Sequence, residues 1–382
     1  MVDSMKKALQ RMDKPLFFST ILLCVIGALM VFSASSVSAV LQYEVSPYYF
    51  FLRQVIVMTV LIAVGLIFVI RFPTSRYDKM SSLLMIFVLF SLVGLFFYGK
   101  VINSAQSWYN LGPISIQPSE FAKSIIIIYL ACFFEKHIKS QKRFFYLRPL
   151  IASLIVVALV FIQPDLGTAA IIGMLIYLIF MALPFDKTDK DIKMFKIAGT
   201  SGIVLIVLLM IFGGNILNSE QTDRLTYKDP CTRYIQKTGY QVCNGMIAMN
   251  NGGLFGVGLG NSTQKYMYLP EGHTDFIFPI IVEELGCVSA IIIIIIYLFI
   301  IIRLIKISKS AANLRGSIIA YGTAMLLLLH LLINFGGILA LIPLTGVPLP
   351  LLSYGGSITM NTLFLLFLSL RVSVESKKMN RD

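Results

Sequence analysis

The sequence predicts an all-α polytopic membrane protein of about ten transmembrane helices, both termini cytoplasmic, with one long external loop between spans 7 and 8. Two observations carry that prediction. The first is composition: the 382 residues are 57% hydrophobic and 13% charged, about half the charge of an ordinary soluble domain. One soluble core could not hide so much apolar surface, whereas a bilayer can. The second is the placement of Lys and Arg, which alternates along the chain as the positive-inside rule requires.

A span needs about 20 apolar residues. Segments of that kind run over 16–38, 51–71, 81–98, 118–135, 149–163, 166–184, 196–216, 276–302, 316–341 and 349–371. The first is long enough to cross and has no distinct small-residue cleavage site, so it reads as a transmembrane helix rather than a signal peptide. The fifth and sixth are separated only by Gln163-Pro164-Asp165-Leu166 and form a tight hairpin. With a cytoplasmic N-terminus, the inside segments hold Lys6, Lys7, Arg11 and Lys14, then Arg71, Arg76 and Lys79. Lys136 to Arg148, Lys187 to Lys196, Arg303 to Arg315 and Arg371 to Arg381 follow in turn. An odd number of helices would break this alternation. The net charge of +13 therefore orients the chain and favours anionic membrane lipid; no nucleic-acid partner is needed to explain it.

The chain reads as a single membrane domain, 1–382, containing a large extracellular loop at 217–275, and loops of that length are usually functional. The shorter external loop 99–117 carries the only tryptophan, Trp108, beside Tyr109; both suit the interface. Of five cysteines, Cys24, Cys132 and Cys287 lie in spans as small apolar fillers. Cys231 and Cys243 share the external loop, where a disulfide would be worth up to about 3 kcal/mol. The sequence leaves open whether their geometry permits it.

Ionisable groups at membrane depth are costly unless paired or wetted. Glu120 and Lys123 open the fourth span on one helix face, at i, i+3, where they can pair. They serve either as a structural ion pair or as the lining of a polar cavity. Asp165 stands where a carboxylate caps the next helix. The densest cluster, Glu271, His273, Asp275, Glu283 and Glu284, closes the long loop. Asp275 lies where an aqueous loop meets an apolar helix, an environment that suits either a general base or a plain N-cap. Glu271, His273 and Asp275 are conceivable metal ligands, but their spacing is not diagnostic. The glycine-rich run 250–260 offers backbone amides to an anion, without the Gly-Lys-Ser/Thr of a phosphate-binding loop. Finally, Pro343 to Ser357 is rich in Pro and Gly, which at membrane depth implies irregular backbone against a cavity that opens outward.

These motifs resemble the SEDS family (shape, elongation, division and sporulation proteins, FtsW/RodA-like), and the division-type members most. The matching strings are Gln117-Pro-Ser-Glu-Phe-Ala-Lys123, Gln163-Pro-Asp-Leu-Gly-Thr-Ala169 and Gly252-Gly-Leu-Phe-Gly-Val-Gly-Leu-Gly260. Leu269-Pro-Glu-Gly-His-Thr-Asp-Phe-Ile-Phe278, Glu283-Glu-Leu-Gly286, Thr345-Gly-Val-Pro-Leu-Pro350 and Ser353-Tyr-Gly-Gly-Ser357 follow in family order. The resemblance implies a peptidoglycan glycosyltransferase that polymerises lipid II outside the cytoplasmic membrane, at the division septum. Asp275 falls on the family's essential aspartate and would act as base while undecaprenyl diphosphate leaves. Glu120 and Lys123 become determinants of the active structure. Arg224, Lys228 and Lys265 are the candidate diphosphate contacts, with Glu271, His273 and Ser353 as further substrate-binding candidates. A divalent cation (Mg²⁺ or Mn²⁺) could replace the basic residues. The implied partners are a class B penicillin-binding protein transpeptidase and divisome regulators. Ser107 where the family often has Arg, and Asn250-Asn251 where it has small residues, are departures from the family pattern; Pro279 and the Cys231/Cys243 pair are also uncommon in it and would mark a Gram-positive subgroup. A lipid II flippase and a divisome scaffold are the rival functions; intramembrane charge clustered toward the outside favours the enzyme.

Overall fold

A computed structural model of the chain describes residues 8–102, 105–110, 112, 115–138, 144–185, 192–194, 196–197, 199–202, 229–233 and 237–379. Helices dominate, because a backbone in lipid must satisfy its own N–H and C=O groups. In chain order the long helices are α1 (Lys14–Leu41), α2 (Tyr49–Arg71), α3 (Tyr77–Tyr98), α4 (Pro118–His137), α5 (Leu147–Ile162) and α6 (Leu166–Ala182). They continue with α7 (Lys237–Gly252), α8 (Ile277–Lys309), α9 (Leu314–Ile338) and α10 (Gly356–Met379). Among the described residues, six helices are long and apolar enough to cross a membrane: α1, α2, α3, α8, α9 and α10. α5 and α6 are shorter apolar helices, and α4 carries the Glu120–Lys123 pair. The expected seventh span, 196–216, lies largely outside the described residues.

Three differences from the sequence expectation have local causes. α10 starts at Gly356 rather than 349, because Pro348, Pro350 and Gly355 hold the preceding backbone out of a helix. The loop 99–117 contains a small antiparallel sheet, β1 (Lys100–Ile102), β2 (Ala105–Asn110) and β3 (Ser115–Ile116) in that order. Trp108 pairs with Lys100, and Tyr109 with Ile116. The Tyr109 hydroxyl donates to the Ser91 carbonyl at 2.8 Å, across Gly94, where a Cβ would meet that hydroxyl. The third difference is that α7 occupies the long loop, tethered by a Cys231–Cys243 disulfide with Cα atoms 4.9 Å apart.

Burial separates centre from periphery. The apolar stretches of α9 and α10 are 72% and 83% buried, against 17% for α2, so α9 and α10 are core and α2 faces lipid. α4, whose face is buried from Ile126 to Cys132, packs against both. α1, α2, α3, α6 and α8 surround them, and α5 packs on α3, α4 and α6.

One end of the bundle is tied by charge. Asp13 caps α1, accepting from Leu16 N–H, and pairs with Arg303 near the end of α8. Arg315 pairs with Asp78 at 2.7 Å, and Glu375 bridges Arg371 at 2.9 Å and the Thr74 hydroxyl at 2.5 Å. The acidic loop 269–275 lies at the opposite end, where α8 begins and α9 finishes.

Candidate functional site

The site is built where α8 starts, α9 ends and the irregular segment 343–355 crosses between α9 and α10. Glu271, at φ 55°, opens a tight turn in which Thr274 N–H and Phe276 N–H both donate to its carbonyl. The Thr274 hydroxyl lies 2.7 Å from Glu271 Oε2 and 3.1 Å from Asp275 Oδ1, which fixes the spacing of the two carboxylates. The His273 carbonyl accepts from Tyr354 N–H at 2.9 Å. Its buried ring sits among Phe50, Tyr43 and Tyr354, 5.0 Å from Phe50. Arg53, on α2, hydrogen-bonds the Tyr354 hydroxyl and brings a permanent positive charge to this wall.

Asp275 is 8% exposed. Its carboxylate faces Gly346, where a Cβ would lie 3.7 Å from Oδ2; Gly346 adopts φ +65°, a conformation glycine accepts without strain. Burial, reinforced by the negative charge of Glu271, pushes the Asp275 carboxyl up to about 7. Hydrogen bonds from its own N–H and from Thr274 only partly oppose this. Burial moves His273 the other way, favouring the neutral ring. A carboxylate tuned near neutral pH is what a general base requires. It is not an N-cap: Phe276 precedes α8, with no side-chain cap bond.

Two polar residues on one face of α9 hold this loop. Asn334 Nδ2 donates to the backbone carbonyls of Asp275 and Val347, each at 2.8 Å. One turn earlier, His330 Nδ1 lies 3.2 Å from the Pro348 carbonyl and Nε2 lies 3.1 Å from Lys123 Nζ. A carbonyl and an ammonium at the two nitrogens fix the tautomer: Nδ1 carries the proton and Nε2 accepts. Lys123 in turn pairs with Glu120 at 2.6 Å, fully inside the bundle. The Glu120–Lys123 pair thus ends at the same irregular segment that faces Asp275.

The other acidic residues have a different task. α8 is broken at Gly286, φ 81° and ψ 168°, and the glycine-rich segment fills the break. Val257 and Gly258 N–H donate to the Glu283 and Glu284 carbonyls, while Cys287 and Val288 N–H donate to Gly253 and Leu254. A Cβ on Gly256 would sit 2.3 Å from the Glu284 carbonyl oxygen, and one on Gly286 2.3 Å from that of Leu254. The buried Glu283 carboxylate collects the Ser262 and Thr263 hydroxyls, the Thr263 and Gln264 amides and Asn251 Nδ2. Glu284 receives Ser33 at 2.7 Å and Lys265 at 3.0 Å.

Several sequence expectations are therefore corrected. In the glycine-rich run expected to offer amides to an anion, Val257 and Gly258 N–H are spent on α8, and Gly253 and Gly256 N–H on the carbonyls of Asn250 and Gly252. Lys265, a candidate diphosphate contact, is buried against Glu284 and the Gly260 carbonyl. Ser353 is fully buried, its hydroxyl accepting from Leu349 N–H at 2.9 Å, and acts as a turn fastener. Glu271, His273 and Asp275 do not converge on one point: among the described residues, no three His, Cys, Asp or Glu side chains are grouped as a metal site. Asp165 caps α6 through Thr168 N–H and also accepts from Gln117 Nε2 at 2.9 Å. Arg224 and Lys228 lie outside the described residues. His330, Asn334 and Arg53 were missed; the available signal was polar residues at i, i+4 in an apolar span, and a cation one turn into a helix.

Comparison with known proteins gives the family. The family described as cell cycle protein, FtsW/RodA/SpoVE, matches residues 14–378. The chain belongs to that family. It is 38% identical over 365 residues to the probable peptidoglycan glycosyltransferase FtsW of Bacillus subtilis, covering 92% of this chain and 88% of that one. It is 35% identical to stage V sporulation protein E of the same organism, covering 90% and 92%. Among solved structures, a chain from a study of polymerization and crosslinking by a peptidoglycan synthase complex superimposes with TM-score 0.74 at 23% identity, over 96% of this chain and 98% of that one. The rod shape determining protein RodA of Thermus thermophilus gives 0.66 at 24% identity, over 95% and 96%. These two establish the fold.

Proposed function

We propose that this chain is a peptidoglycan glycosyltransferase that joins lipid II disaccharides into glycan strands on the outer face of the cytoplasmic membrane, in septal wall synthesis. The observation that carries the reading is Asp275: a buried carboxylate raised to about 7, facing Gly346 in the segment that α9 anchors. Relatives with over 30% identity across nine-tenths of the chain are named for this activity.

In the reaction, Asp275 takes the proton from the 4-hydroxyl of the acceptor GlcNAc. The freed oxygen pair forms a bond to the anomeric carbon of the donor MurNAc, and the bond from that carbon to the diphosphate breaks. Undecaprenyl diphosphate departs with the electron pair, so no acid is needed to protonate the leaving group. Arg53 supplies fixed positive charge where negative charge develops, together with Arg224 and Lys228 of the long loop. A divalent cation would enter as the counter-ion of the substrate diphosphate, since the chain's own described donors do not form a three-ligand cage.

The orientation follows from Lys and Arg placement: ten spans, both termini inside and 217–275 outside. The charge-tied end of the bundle, with Arg303, Arg315 and Arg371, is then cytoplasmic, and Asp275 is external. A class B penicillin-binding protein is the partner that would crosslink the emerging strand. The deciding experiment is polymerisation of purified lipid II by the chain with its cognate transpeptidase. Wild type yields long glycan strands, and Asp275→Asn falls by at least about 100-fold, the usual worth of a general base. Equal polymer from both proteins overturns the assignment of Asp275.

A further inference from the structure

We propose that a pocket at the charge-tied end of the bundle binds the phosphate of an anionic phospholipid. The pocket, of about 140 Å³, lies between the start of α3, the end of α4 and the start of α5, and is lined by Asp78, Ser82, Tyr129, Lys136, His137 and Arg148, with Phe133. Its one lining acid is ion-paired, Asp78 Oδ2 with Arg315 at 2.7 Å, while Oδ1 is buried without a hydrogen-bond partner. Its cations are not ion-paired. Among the described residues, Lys136 Nζ touches only a neutral carbonyl, that of Asp78, at 3.2 Å, and Arg148 forms no hydrogen bond or ion pair. His137 is stacked on Phe133, with ring centroids 4.4 Å apart, which leaves a fixed aromatic wall beside the two charges. The pocket therefore carries net positive charge with unused donors, the chemistry of a phosphate site.

The surface below it selects a lipid over a soluble phosphate. On the pocket's own face α3 continues with Ile86, four residues after Ser82 and 49% exposed, and α5 continues with Ile151 and Ile155, three and seven residues after Arg148 and 54% and 46% exposed. A headgroup in the pocket would lay its acyl chains along this apolar track, at the level where helix ends meet the headgroup layer. Only the identity of the leaflet, the inner one, rests on the orientation proposed above.

The test is native mass spectrometry of the full-length chain from detergent micelles holding equimolar dioleoyl-phosphatidylglycerol and dioleoyl-phosphatidylcholine. Wild type is expected to retain the anionic lipid about thirtyfold over the zwitterionic one, the preference two surface cations supply. Lys136→Ala with Arg148→Ala should bring the ratio near one. Ser82→Trp, which keeps both cations and fills the space, should do the same, while Arg76→Ala elsewhere on this face should not. Equal retention by wild type, or a preference that survives in both pocket variants, overturns the proposal. Inorganic phosphate raising the thermal midpoint as much as phosphatidylglycerol does would also overturn it, by assigning the pocket to a soluble anion. Because the readout is binding in micelles, none of these outcomes bears on glycan polymerisation.

Discussion

Asp275 is buried where burial is costly, and the cost and the chemistry have one cause. Its carboxyl is raised from the ordinary value to about 7, first by desolvation and then by Glu271. A base works only when deprotonated, so polymerisation should rise with pH through about 7 and level off above it, as a pH–rate profile will show. Stability runs the opposite way: the folded state holds this proton more tightly than the unfolded chain, so the contribution is full below about 4 and is lost as pH rises to about 7. Asp275→Asn should therefore abolish activity yet raise the thermal midpoint at pH 8, with little change at pH 5. The upper bound is about 4 kcal/mol for a three-unit displacement. Asn334 is a positioning residue: it touches the backbone of Asp275, not its carboxylate. Asn334→Ala leaves two buried carbonyls unpaired, at about 1–3 kcal/mol each, and should lower turnover and displace the pH midpoint. A purely structural role would lower the yield of folded protein and leave that midpoint in place.

Among the elements, α8 is the one whose path the sequence concealed. Residues 276–302 read as one uninterrupted span, yet Gly286 breaks the helix and the segment 252–265 packs into the gap. A glycine inside an apolar run does not announce which distant backbone will approach it, so the break was not legible. For the same reason Lys265 looked free for substrate; its partner Glu284 is 19 residues away, across the break. What long apolar runs encode came through as helix: described helices lie over nine of the ten expected segments, and six of them are long and apolar enough to cross a membrane. The Pro- and Gly-rich 343–355 segment is irregular, and Asp165 caps α6. Gly286→Ala tests the break directly. Its Cβ would lie 2.3 Å from the Leu254 carbonyl oxygen at a φ of +81°, so the two segments must separate. Separation strands Glu283 and Glu284, and the expected outcome is a loss of folded protein from membranes, read by fluorescence-detected size exclusion. Gly253→Ala is the matched control: it also has positive φ, but nothing lies within 4 Å of its Cβ, so it should show only the smaller strain of about 1 kcal/mol.

At the scale of the whole molecule, the question is why an ion pair should sit in the centre of the bundle, where desolvating two charges opposes folding. Glu120 and Lys123 are 4% and 0% exposed, and stability alone would be as well served by apolar residues of the same volume. The contacts supply a reason. Lys123 joins α4 to His330 on α9, and His330 joins α9 to Pro348, one residue from the Val347 carbonyl that Asn334 holds together with Asp275. The pair thus sets the height of the 343–355 segment relative to Asp275, a role the i, i+3 spacing alone could not reveal because the partner lies 207 residues away. Two variants separate this from a merely stabilising pair. Lys123→Ala leaves Glu120 buried and uncompensated, at about 3–5 kcal/mol, and should lose both thermal stability and activity. Glu120→Gln with Lys123→Met removes both charges at nearly constant volume and should regain the thermal midpoint of wild type, while His330 has no ammonium to accept from. If the chain through His330 positions the site, the double variant stays at least about tenfold below wild type in polymerisation. Full recovery of turnover along with stability would mean that the ion pair serves folding alone and that Asp275 is held by Asn334 without it.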